Sequence, residues 1–137
     1  MIIEENELKT YKVVLIGESG VGKTCITSYF VNEKFNGDEI PTTAAVFTSK
    51  TISFKESNNC IKFDIWDTAG QETYRSLAKL FYKDSNAAIL VYDVTNKKSF
   101  EEIQKYWYYQ IKENSPKADK LLIFNIIFFK CSYCISC

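Results

Sequence analysis

The sequence predicts an α/β fold, a mostly parallel sheet with one antiparallel hairpin strand, flanked by helices. Three observations predict it. Apolar runs of strand length alternate with segments of helical period. Residues 46–56 and 60–66 each alternate in polarity around Ser57-Asn58-Asn59, a hairpin signal. A glycine-rich turn joins the first apolar run to the first helical segment.

Taken in order, residues 11–16 form the first strand and residues 23–31 a helix. Residues 32–45, polar and holding Gly37 and Pro41, form a loop. The hairpin follows, and residues 67–71 form a polar loop. Residues 74–82 read as a helix. Residues 87–92 are continuously apolar, as a buried parallel strand should be. Ser99 followed by Glu102 matches a capping box. Phe100, Ile103, Trp107 and Ile111 then share a helical face, and Ser115-Pro116 ends that helix. Residues 121–129 form the last strand.

Composition narrows the function classes. At 137 residues the chain is one domain or a fragment of one. Lys+Arg and Asp+Glu are both 17, so no basic excess points to nucleic acid or an anionic membrane. The absence of histidine argues against histidine triads, bases and metal sites. The acidic N-terminus has no signal-peptide core. The longest apolar run, interrupted by Asn125, falls short of the roughly 18–20 residues of a membrane span. Five scattered cysteines suit a reducing cytosol, and a cytoplasmic location is expected.

The chemistry lies in two motifs. Gly17-Glu18-Ser19-Gly20-Val21-Gly22-Lys23-Thr24 has the pattern G-x-x-x-x-G-K-[ST], which lines backbone N–H groups around a phosphate and aims a helix N-terminus at it. Trp66-Asp67-Thr68-Ala69-Gly70-Gln71-Glu72 supplies the rest. Asp67 can hold Mg2+ directly or through water. Gly70 lets backbone approach a γ-phosphate. Gln71, with a donor and an acceptor, suits a water poised for in-line attack. Taken alone, Asp67 reads equally well as a turn or N-cap residue.

With these motifs the sequence resembles the Ras-superfamily small GTPases, and within them the Rab family. Asp67-Thr68-Ala69-Gly70-Gln71-Glu72, Tyr74-Arg75-Ser76-Leu77 and the stretch from Ala88 to Asn96 carry the likeness, which runs over about residues 11–119. The resemblance implies a P-loop NTPase (Rossmann-like) three-layer fold. It implies GTP or GDP with Mg2+ as ligands. The nucleotide would be contacted by Gly17, Glu18, Ser19, Gly20, Val21, Gly22, Lys23, Thr24, Cys25, Phe35, Thr42 and Gly70. Thr24, Thr42 and Asp67 would hold the metal, and Gln71 would be the catalytic residue. Thr43 would replace Thr42 only if the loop register slipped. Phe47, Trp66 and Phe81 would be the aromatic triad that Rab effectors read, or ordinary packing of the hairpin on the following helix.

The implied partners are a guanine nucleotide, an exchange factor, a GTPase-activating protein and Rab effectors, with no nucleic acid. The implied setting is vesicle trafficking, in the cytoplasm or peripherally on the cytosolic face of endomembranes. No switch-I arginine is present, so hydrolysis should be slow without an activating partner.

Two departures stand out. Thr43 and Ala44 replace the family's Ile and Gly after the threonine, and Ala44 would be strained if that position needed φ > 0. The family's Asn-Lys-x-Asp, which reads the guanine, does not follow the strand at 121–130. Pro116-Lys117-Ala118-Asp119 only mimics it, ahead of the strand. The expected layout is an extension at 1–10, a small-GTPase (G) domain at 11–130 incomplete at its C-terminal end, and a Cys-rich tail at 131–137. The family's last strand and final helices are missing, which suggests truncation and should leave apolar sheet surface exposed. Cys134-Ile135-Ser136-Cys137 loosely fits a prenylation signal, the only expected route to a membrane. A metal site on the tail cysteines lacks a fourth ligand, and a tail without a role is the plainest reading.

Two functions follow. One is a Rab-like GTPase switch. The alternative is a truncated, non-cycling remnant that binds guanine nucleotide weakly or not at all and only engages Rab partners. A P-loop ATPase or kinase of another family is disfavoured by the string from Asp67 to Glu72.

Overall fold

The computed structural model describes residues 8–34, 42–54, 59–70, 75–115 and 118, and the backbone of 120–126. Among the described residues five strands form one sheet: β1 (Lys9–Ile16), β2 (Ala45–Phe54), β3 (Asn59–Thr68), β4 (Ala87–Asp93) and β5 (Lys120–Ile126), in the order β2-β3-β1-β4-β5. The β1–β3, β1–β4 and β4–β5 pairs are parallel, and the β2–β3 hairpin is antiparallel, as the sequence predicts. β1 starts two residues earlier than expected. β3 runs on through Asp67 and Thr68, which the sequence reading placed in a loop.

Helices α1 (Lys23–Asn32), α2 (Arg75–Tyr82), α3 (Lys97–Glu102) and α4 (Tyr108–Asn114) complete the fold, with a π-helical turn, Ile103–Trp107, joining α3 to α4. Successive residues of β1 and β4 point to opposite faces, and both faces are covered. Leu15 and Val91 pack with Val21, Ile65 and, at the edge, Ile26 and Val31 of α1. Val14, Ile16, Ala88 and Leu90 pack with Ala78, Tyr82, Ile103, Trp107 and Ile111 on the other side. A sheet buried on both faces explains why β4 reads as an unbroken apolar run. The result is the three-layer α/β arrangement.

The expected capping box from Ser99 to Glu102 does not form. The residue that starts α3 is Asn96, whose side chain accepts from the Ser99 N–H at 3.4 Å. Ser99 lies inside the helix, buried, and donates its hydroxyl hydrogen to the Asn96 carbonyl at 2.7 Å. Glu102 is turned toward Arg75 instead of back to the helix start. The shared face is also modified. Ile103, Trp107 and Ile111 are buried, but Phe100 is partly exposed and lies against Tyr92, with ring centroids 4.9 Å apart. The π turn between Ile103 and Trp107 breaks the 3.6-residue period on which that expectation rests.

Tyr82 closes the core between α2 and α4. Its hydroxyl is buried with no hydrogen-bond partner among the described residues. Burial, aided by the nearby Tyr106, holds the phenol well above its ordinary pKa. Removing an unsatisfied buried hydroxyl should cost nothing, so Tyr82→Phe is expected to raise stability by about 1 kcal/mol. Urea denaturation checks this, and a clear loss of stability would contradict it.

Candidate phosphate and cation site

The parallel register brings the two motifs level. Leu15 pairs with Asp67 across β1–β3, and Ile16 pairs with Leu90 across β1–β4. Gly17 therefore leaves the sheet directly beside Val91, with φ at 147°. A Cβ on Gly17 would collide with the Val91 carbonyl. Thr68 locks the same end of the sheet by donating its hydroxyl hydrogen to the Leu15 carbonyl at 2.7 Å.

From Gly17 the loop turns over Ser19 and Gly20, both exposed at the rim, and passes the buried Val21 to Gly22. Gly22 starts α1 in the left-handed region, at φ 93°. It has no side chain to cap the helix, so the start of α1 offers first-turn N–H donors to an anion. The far end of α1 is fixed by Lys50 of β2, whose ammonium donates to the Phe30 carbonyl at 2.6 Å.

Lys23 is buried at the centre of this cradle. Its Nζ donates to the carbonyls of Gly17 at 3.0 Å and Glu18 at 2.7 Å. Burial pulls its pKa down to about 8, and the carboxylates of Asp67 and Glu18 oppose that shift. An anionic phosphate against this ammonium would favour its charged form.

Three oxygens from α1, β3 and the segment before β2 meet beside it. The Thr24 hydroxyl donates to Asp67 Oδ2 at 2.5 Å, and Thr24 Oγ1 lies 3.0 Å from Thr42 Oγ1. Thr42, not the exposed Thr43, occupies this position. Hydroxyls and a carboxylate are hard oxygen donors, of the kind Mg2+ takes when it shares its shell with phosphate oxygens and water. No cluster of three or more His, Cys, Asp or Glu exists among the described residues, so this mixed set is the candidate cation site. The donor set fits the metal.

Gly70 seats against the phosphate loop. A Cβ there would strike the backbone of Glu18 and Ser19. The preceding Ala69 N–H donates to the Ala44 carbonyl at 2.8 Å, tying the two segments that flank the site. Ala44 itself is not at positive φ, so the anticipated strain from the Gly-to-Ala departure does not arise.

One part of the site has no signature in the sequence. Glu18 accepts from Arg75 Nη2 at 2.7 Å and from the Trp107 indole N–H at 3.0 Å. These partners lie 57 and 89 residues away, beyond any local motif. Phe47, Trp66 and Phe81 do assemble, with centroids 5.1 Å and 5.3 Å apart, and Phe47 is half exposed. Phe35, Gln71 and the tail cysteines 131, 134 and 137 lie outside the described residues. So do Pro116, Lys117 and Asp119, which precede β5. Among the described residues no helix is long and apolar enough to cross a membrane.

Residues 12–131 match the family model described as Ras family. The chain is 42% identical over 116 residues to the Ras-related protein Rab-13 of Rattus norvegicus, covering 84% of this chain and 56% of that protein. It is 45% identical over 96 residues to the Ras-related protein RabC of Dictyostelium discoideum, covering 70% and 49%. It is 42% identical over 111 residues to the Ras-related protein Rab-22A of Mus musculus, covering 81% and 56%. The chain thus spans about half the length of the curated relatives it matches.

Proposed function

This chain belongs to the Ras family, and we propose that it acts as a Rab-type small GTPase, binding GTP or GDP with Mg2+ and hydrolysing GTP slowly as a switch in vesicle trafficking. The observation that carries this reading is the meeting of Thr24, Thr42 and Asp67 beside Lys23.

In this reading the loop from Gly17 through Thr24 and on to Cys25 cradles the phosphates with backbone N–H groups. Lys23 donates to their oxygens. Thr24, Thr42 and Asp67 hold Mg2+, which when bound offsets charge on the phosphate oxygens. Gly70 reports the γ-phosphate, Gln71 orients the attacking water, and Phe35 packs on the base. No base needs to titrate, which accords with a chain that has no histidine. An exchange factor, an activating protein supplying an arginine, and effectors touching Phe47, Trp66 and Phe81 are the partners. A prenylated tail cysteine would attach the chain to a membrane.

A second reading is favoured by one observation: residues 121–130 contain no aspartate to read the base. Such a chain would bind guanine nucleotide weakly or not at all, and would engage Rab partners without cycling. Loading the purified chain with radiolabelled Mg2+·GTP and following one turnover tests both. The first reading expects phosphate release on the order of 10⁻⁴ per second. Weak or absent binding of GTP supports the second reading, and failure to bind any nucleotide overturns the first.

A further inference from the structure

Glu18 meets the site and the rest of the fold through different atoms. Its carbonyl accepts from Lys23 Nζ inside the phosphate cradle. Its carboxylate oxygen Oε1 takes both the Arg75 and the Trp107 hydrogen bonds. Arg75 Nη2 also reaches Glu102 Oε2 at 3.2 Å. The guanidinium lies over Tyr106, 4.3 Å from the ring centroid, and 5.2 Å from that of Trp107. The side chains of Glu18, Arg75 and Glu102 are each less than a quarter exposed, so solvent and salt screen this group weakly.

Arg75 is the first residue of α2, four positions after Gln71. Besides this contact, Phe81 of α2 stacks on Trp66, with ring centroids 5.3 Å apart. Only Ala78 and Tyr82 of α2 are buried, while Leu77 and Leu80 are 46% and 72% exposed. A helix with so few buried contacts sits at the low-stability end of a fold. A planar, stacked guanidinium with fixed donor directions then becomes a strong constraint on where the helix starts.

We propose that Glu18, Arg75 and Trp107 form a clasp through which the phosphate loop positions α2, making Arg75 a positioning residue for the start of that helix. This rests on the nucleotide-binding reading above. A shift of the loop moves the Glu18 carboxylate, and Arg75 can keep its bond only by carrying the start of α2 along. Trp107, held by the π turn, is the fixed third point.

Hydrogen–deuterium exchange on the whole chain tests the clasp. Without nucleotide, Glu18→Ala and Arg75→Ala should each speed exchange across 75–82 by about tenfold, and the double substitution should add nothing further. Exchange in β1 should not change. Unaltered exchange in 75–82, or an equal rise in β1, overturns the proposal. With Mg2+·GTP added and bound nucleotide quantified, α2 exchange should respond in the parent and not in the nucleotide-bound Arg75→Ala variant. An equal response in that variant overturns the proposal. A parent that binds no nucleotide contradicts the preceding functional reading instead, and the nucleotide-free comparison then decides the clasp by itself.

Discussion

Asp67→Asn is expected to weaken Mg2+-dependent nucleotide binding by about a hundredfold or more while the chain stays folded. The amide keeps the shape of the carboxylate and still offers Thr24 an oxygen to donate to, so the 2.5 Å contact has a substitute. What goes is the negative charge at the meeting point of Thr24, Thr42 and Asp67. A hydroxyl pair without a carboxylate is a poor partner for a divalent cation. One of the two carboxylate charges that oppose the lowering of the Lys23 pKa goes with it, leaving that of Glu18. Calorimetric titration of variant and parent with Mg2+·GTP gives the ratio of affinities. A loss of less than tenfold would mean that Asp67 does not support the metal. Thermal melting of the variant separates this from simple unfolding.

Gly17→Ala is expected to destabilise the protein by about 3 kcal/mol or more, with Gly20→Ala as its control. Both glycines are at positive φ, 147° and 77°, where a side chain is disfavoured. They differ in what surrounds them. A Cβ on Gly20 meets nothing within 4 Å, so only the backbone penalty of about 1 kcal/mol applies. A Cβ on Gly17 meets the Val91 carbonyl of a central strand, and neither backbone can yield without opening the β1–β4 pair. Urea denaturation of the two variants measures the difference. Equal losses would show that the collision is relieved at little cost.

The contrast between these glycines indicates what the sequence can and cannot tell. That position 17 needs glycine is legible, because the phosphate motif fixes it there and leaves position 20 open. The reason is not legible, since the collision comes from β4, whose place beside β1 is a property of the sheet order. The Thr24–Asp67 contact is intermediate. Each residue is visible in its own motif, and the parallel register of Leu15 with Asp67 brings them together.

Ser99 failed as a cap for a local reason. Asn96 is as good an N-cap as Ser, and it stands three residues ahead. The turn at the end of β4 settles it. Asp93 accepts from the Thr95 N–H and hydroxyl, which brings the chain around one residue before Asn96. The Glu18–Arg75–Trp107 cluster was illegible for the opposite reason. Nothing local requires an acidic residue in a phosphate loop, and its partners come from α2 and a π turn that interrupts the helical period.

The central claim is that Lys23, Thr24, Thr42 and Asp67 form one site for a nucleotide's phosphates and their Mg2+. Titrating GTP into the purified 137-residue chain, once with Mg2+ and once with EDTA, tests it most directly. The account predicts saturable binding that needs Mg2+ and weakens by tenfold or more without it. Equal affinity in both buffers, or no binding in either, would contradict it.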